Sequence, residues 1–220
     1  VRDESLPVPP YDRLTFRQGA AVAVSADSLL IDQAALEGAL EVLVKVGDRL
    51  VPAQVQRVSS GREGVLPVAL LKAPDAQFTP VKLLGKDEKL VADTPVTLHA
   101  MNVFESMGSQ VRQAAGKITA VGDTGEVTLS VAVAPGESAA PVITQDGVLA
   151  GFVAGRTNAQ EDLGGPHEVI QLGRMEQVLR RLSRSGSGSG VGSPSRTRRT
   201  ITPIQAEGQV FPVLVTCGER

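Results

Sequence analysis

Ser138 stands in the stretch GESAAPV, residues 136 to 142. A serine hydroxyl attacks a carbonyl only when a base takes its proton and fixed donors hold the oxyanion that forms. The chain offers few residues for those roles. His99 lies in TLHAM and His167 follows a GGP turn, and each reads as a hydrogen-bonded strand or loop histidine. Asp32 sits in LLIDQAALEGA. A carboxylate serves as base toward serine at neutral pH only when its pKa is raised, and here Asp32 reads as a turn residue. Cys217 is the only cysteine, which excludes an internal disulfide without fixing the compartment. Two histidines and one cysteine far apart lack metal-ligand spacing, so neither a metal nor a cofactor is expected.

These residues must be held by a core built almost without aromatics. The 220 residues are 42% hydrophobic, 21% charged and 3% aromatic, with no Trp and one Tyr. Val, Leu and Ala therefore supply the interior, and base stacking on exposed rings has no residues to carry it. The net charge of −2 leaves no overall field for a polyanion, so a specific nucleic-acid partner is not expected. No run approaches the 18 or so apolar residues of a membrane span. The chain begins at Val1 and reads as a mature or excised fragment.

Residues 1–13 are charged and proline-rich, which predicts an extended leader. Short Val/Leu/Ala runs separated by turn residues follow: GAAVAVSAD, LEVLVKVGDRLVPAQVQRV and GVLPVALLKA. Val42, Val44 and Val46 alternate with Leu43 and Lys45 before a VGD turn, and Gln54 and Gln56 flank Val55 beyond it. This predicts a hairpin with one solvated face. After the charged GKDEKLVAD, a second series runs through TPVTLHAM, QVRQAAGKITAVG, GEVTLSVAVA, APVITQDGVLAGFVAG and HEVIQL. Met175, Val178, Leu179 and Leu182 share a face at helical spacing, predicting a helix over 173–182. SRSGSGSGVGSPS then reads as a flexible linker, and QVFPVLVTC as one further β-prone stretch, too short to fold alone. The linker arginines, among them Arg184, Arg196, Arg198 and Arg199, read as part of a solvated connector, with a basic arm for an anionic surface as the alternative.

The order of these motifs resembles a trypsin-like serine peptidase of the HtrA/Deg branch. AVAVSADSLLIDQAALEGA (21–39) matches the family's G-F-V-V-S-x-D-G-L-I-L-T-N-A-H-V-V segment, and PVALLKA (67–73) its D-L-A-L-L-K strand. MNVF (101–104) is similar to the G-N-P-F turn, and GESAAPVITQDGVLAG (136–151) to the segment carrying G-N-S-G-G-P. The resemblance covers residues 14–183. It implies an all-β fold of two Greek-key β-barrels with a C-terminal helix. Its divisions would be a leader at 1–13, a first barrel at 14–86, a second at 87–183 closing on helix 173–182, a Ser/Gly/Arg linker at 184–200 and a tail at 201–220.

Carried over residue by residue, the resemblance implies a degenerate triad. The family's general base falls on Ala34, its orienting aspartate on Pro67, and the nucleophile on Ser138. Shifting the register by one gives Gln33 or Ala35, neither of which is a base. Gly136, whose N–H would line the oxyanion hole with that of Ser138, is retained, while the two glycines after the nucleophile are Ala139 and Ala140. The specificity-pocket position, Ala132, is uncharged. Triad members act as a unit, so the expected function is an inactive pseudoprotease that binds a protein or an extended peptide, which can add as a strand. The alternatives are a serine hydrolase using Ser138 with an unconventional base, and a structural subunit of a larger assembly. The resemblance also implies a periplasmic, secreted or otherwise extracytoplasmic location.

Overall fold

The computed structural model describes residues 13–58, 68–84, 88–101, 111–122, 126–131, 140–153, 167–170 and 203–219. In chain order the strands are β1 (Arg13–Ala23), β2 (Ser28–Asp32), β3 (Ala39–Val46), β4 (Arg49–Val58), β5 (Val68–Lys72), β6 (Ala76–Gln77), β7 (Lys82–Leu83) and β8 (Pro95–Met101). There follow β9 (Val111–Val121), β10 (Glu126–Leu129), β11 (Pro141–Thr144), β12 (Val148–Val153), β13 (His167–Ile170), β14 (Ile204–Gln205) and β15 (Val210–Glu219). A four-residue 3-10 turn, Gln33–Leu36, separates β2 from β3.

The first unit is a closed barrel in the order β1-β15-β3-β4-β5-β2. Its strands follow period-two alternation. In β3, Val42, Val44 and Val46 are buried while Leu43 and Lys45 lean outward. In β15, Phe211, Val213, Val215 and Cys217 point inward. The β3–β4 hairpin turns on Gly47 and Asp48, with Gly47 at a φ of 58°. A side chain resists that conformation and glycine does not. Pro52 and Pro212 cannot donate to a ladder, and each sits where one side is unpaired. The β4–β5 register starts only at Gln54, and the β15–β3 register only at Val213.

The second unit is a seven-stranded sheet, β11-β8-β9-β10-β13-β12-β7, that curls back on itself through an added β11–β12 pairing. The expectation of two Greek-key barrels and a C-terminal helix is corrected here. β12 is six residues long, and it meets β13 only at Phe152↔Ile170 and Val153↔Val169. Its Val148 and Leu149 pair in parallel with Lys82 and Leu83 of β7 instead. The second unit is therefore a half-barrel. The only helical segment among the described residues is the Gln33–Leu36 turn, and 173–182 lies outside them. It is the first barrel that takes a strand from the far end of the chain: β15, paired with β1 on one side and β3 on the other, where the interior demands period-two alternation.

Strands with three consecutive buried residues are covered on both faces. In β2, Leu29 and Ile31 enter the barrel core while Leu30 faces the second unit. Val22, Leu30 and Val68 from the barrel pack with Ile143, Leu149 and Phe152 from the half-barrel. Burying such side chains contributes about 1.5–3 kcal/mol each, so this shared cluster joins the two units. The half-barrel interior is separate and centres on Leu98, Ile118, Leu129 and Val142.

Candidate functional site

The position that the resemblance gives to the base lies just beyond β2. Asp32 ends that strand and is paired with Val68, the first residue of β5. The chain then makes its 3-10 turn, with Ala34 exposed, Ala35 half-buried and Leu36 in the barrel core. Arg17 Nη1 donates to the Ala34 carbonyl at 3.3 Å, and Glu37 N donates to the same oxygen at 3.5 Å. From below, β1 presses close. A Cβ on Gly19 would come to 3.0 Å from Ile31 Cδ1 and 3.3 Å from Ala35 Cβ. The turn is thus held by backbone and packing, and the side chain it presents at residue 34 is a methyl group, which neither accepts nor donates a proton.

Asp32 is the ionisable side chain in this turn. Burial raises its carboxyl above the ordinary carboxylate range, partly offset by the N–H groups of Ala34 and Gln33. It makes no capping hydrogen bond to the turn, so those N–H groups act as nearby dipoles. Val68 is buried against the second unit. The β2–β5 register therefore sets Asp32, two residues before Ala34, beside the entry to β5, the segment that Pro67 precedes in sequence.

Pro67, Ser138, Gly136, Ala132 and Ala139 lie outside the described residues. Ala140 is described: it is buried, and its carbonyl accepts from Val153 N at 3.0 Å. Ala140 thus sits in the half-barrel core and leads into β11. His99 is in β8 opposite Gln113, and burial holds its imidazole below the usual histidine range. The backbone of His167 pairs with Leu129. Both histidines belong to strands of the second unit, whereas Ala34 lies in the 3-10 turn of the first. Cys217 is buried in the barrel wall. Among the described residues, no group of three or more His, Cys, Asp or Glu side chains is arranged to hold a metal, and no helix is long and apolar enough to cross a membrane.

A polar cluster that the sequence reading passed over lies at the β1–β2 turn. Ser28 Oγ donates to Asp27 Oδ1 at 2.8 Å and Ser25 Oγ to the same oxygen at 3.1 Å, while Lys72 Nζ lies 3.2 Å from Asp27 Oδ2. Burial pulls the Asp27 carboxyl upward, but these hydrogen bonds and the Lys72 charge hold it below the ordinary range. Its chemistry is structural: it pins the end of β5 to the turn. The S-A-D-S sequence was its signal, since short polar side chains there bond the local backbone and one another.

No family model and no curated relative matches the chain. Solved structures do. The structure of Rv3671c from M. tuberculosis H37Rv, a serine-to-alanine mutant in an inactive form, is similar at a TM-score of 0.57 and 19% identity, covering 81% of this chain and 88% of that one. Another, of the Rv3671c protease in an inactive form, gives 0.56 and 20%, covering 77% and 88%. At these identities the likeness is one of fold: a trypsin-clan-like, barrel-rich protease fold.

Proposed function

We propose that this chain is a catalytically inactive trypsin-like pseudoprotease, similar to the HtrA/Deg branch, that binds a protein or extended peptide outside the cytoplasm. The observation that carries the reading is the residue at position 34. In a protease fold, a methyl group on the exposed 3-10 turn stands where the resemblance puts the base. Without a base, serine keeps its proton, and what remains of the template is binding and oxyanion stabilisation. Pro67, where the resemblance puts the orienting carboxylate, supports the same reading, as do Ala139 and Ala140 in the nucleophile turn. The extracytoplasmic location rests on the family resemblance alone. Treating the full chain with a fluorophosphonate probe tests the reading directly: no covalent label at Ser138 is expected, and stoichiometric labelling overturns it. Binding is tested by fluorescence anisotropy with extended peptides carrying apolar side chains at alternate positions. Failure of every such peptide to bind would leave the structural-subunit role.

One feature favours the hydrolase alternative: Asp32 ends β2 two residues before Ala34 and is half-buried there, and burial that raises a carboxyl is the condition under which it becomes an effective base. Under that reading, peptide or ester turnover by the full chain is lost in both Ser138→Ala and Asp32→Asn. Absence of turnover in the unmodified chain removes this alternative.

A further inference from the structure

The strand that completes the barrel comes from the far end of the chain. β15 enters between β1 and β3, paired with β1 from Arg13↔Glu219 to Val22↔Val210 and with β3 from Val213↔Val44 to Cys217↔Ala39. Its inward side chains are barrel core, and Phe211 meets Phe78 edge-on with ring centroids 4.9 Å apart. Just upstream, β14 runs parallel to β6, with Gln205 Nε2 donating to Gln77 Oε1 at 2.6 Å. Ala23 N also donates to Gln209 O at 2.9 Å. Residues 203–219 therefore dock as one continuous piece, with an anchor, an entry contact and a two-sided ladder.

Taken out, this piece would leave an apolar slot flanked by two unsatisfied ladders. A slot of that kind accepts a strand of matching alternation. Residues 171–202 separate the piece from β13. At about 3.3 Å per residue, that many residues can span at most on the order of 100 Å, several times the width of a small barrel. The number of connecting residues therefore does not by itself confine the strand to its own barrel. Every contact made within one chain could be made identically between two.

We propose that the slot between β1 and β3 is a strand-accepting site, and that its partner is residues 203–219 of a second copy of this chain, giving a strand-exchanged dimer. Exchange adds no new contact, so concentration decides the outcome. A tethered strand competes at an effective concentration on the order of millimolar. Chains refolded dilute should close on themselves, whereas chains refolded near that concentration should exchange and stay exchanged until they unfold.

The register supplies the test. Thr15 stands directly opposite Cys217, and facing residues in an antiparallel pair have Cα atoms about 4.5–5.5 Å apart, within disulfide range. In full-length Thr15→Cys, oxidation staples β15 to whichever β1 it has joined. Isotope-labelled and unlabelled chains are mixed unfolded, refolded at about 1 µM and about 2 mM, far below and above the tether's effective concentration, then oxidised. The expected result at the higher concentration is covalent dimer, with residue 15 of one isotope linked to Cys217 of the other. Same-isotope linkage and monomer at both concentrations overturns the proposal. Should no disulfide form, light scattering of the unmodified chain decides. Dimer that appears after concentrated refolding and persists on dilution supports exchange. Monomer, or a dimer that dissociates at once on dilution, overturns it.

Discussion

Thr15, near the start of the first strand, stands directly across from Cys217 in the last, and its hydroxyl is buried with no hydrogen-bond partner among the described residues. A buried hydroxyl without a partner costs its lost hydration and returns nothing. Valine matches threonine in shape without that cost. Thr15→Val is expected to raise stability by about 1 kcal/mol, read as a higher urea midpoint at unchanged slope. An unchanged or lower midpoint would mean that the hydroxyl is satisfied after all.

Gly116 occupies β9 where no side chain fits. A Cβ there would overlap Val131 Cγ2 and lie 3.0 Å from Ser130 Oγ. The Ser130 hydroxyl also accepts from Lys117 N at 3.0 Å, so it cannot retreat without losing that bond. Gly116→Ala is expected to destabilise the chain by about 1–3 kcal/mol, the usual cost of overpacking. A urea midpoint within error of the parent would show that the segment around Val131 yields freely.

Period-two alternation was legible wherever a strand has one wet face. Val42, Val44 and Val46 read as inward and are buried. The hairpin's far arm was less legible. Val55 is 43% exposed, because a register shift between Val55 and Arg57 bulges the strand there. Nothing local announces such a bulge. The role of QVFPVLVTC was legible only as β-prone. Which two strands it enters is a long-range fact, fixed by the slot between β1 and β3. For the candidate site, residue type could be read directly at Ala34. The half-burial of Asp32 could not, since it follows from pairing with Val68 across β5.

His99 sets one arm of the pH profile. Burial holds its folded pKa below the ordinary value of 6.5. Above that value both states are neutral and the histidine costs nothing. As pH falls, the unfolded chain takes up a proton that the folded chain resists, so stability is lost as pH drops from about 6.5 through the folded pKa. His99→Gln is expected to flatten that limb of a plot of thermal midpoint against pH. A parent profile flat between pH 7 and 5, unchanged in the variant, would refute the burial effect.

Asp32 works in the opposite sense. Its folded pKa is raised above the ordinary value of 3.8 by burial, so the folded state favours the protonated form. The stability this contributes is complete below the unfolded pKa and is lost as pH rises through the folded one. At neutral pH the charged, half-buried carboxylate is therefore a net cost. Asparagine keeps the shape and the tolerance for a turn entry while removing the charge. Asp32→Asn is expected to be more stable than the parent at pH 7, by about 0.5 kcal/mol, the usual scale of single changes near a surface. That advantage should shrink to nothing once the parent carboxyl is protonated. If the variant is no more stable at pH 7, or its advantage persists unchanged at pH 3, the carboxyl is not burdened by burial. The same variant separates the two functional readings. In a pseudoprotease, Asp32→Asn changes stability and leaves peptide binding as it was. In a hydrolase that uses Asp32 as base, it abolishes turnover while the chain becomes more stable, a loss of activity that no loss of folding can explain.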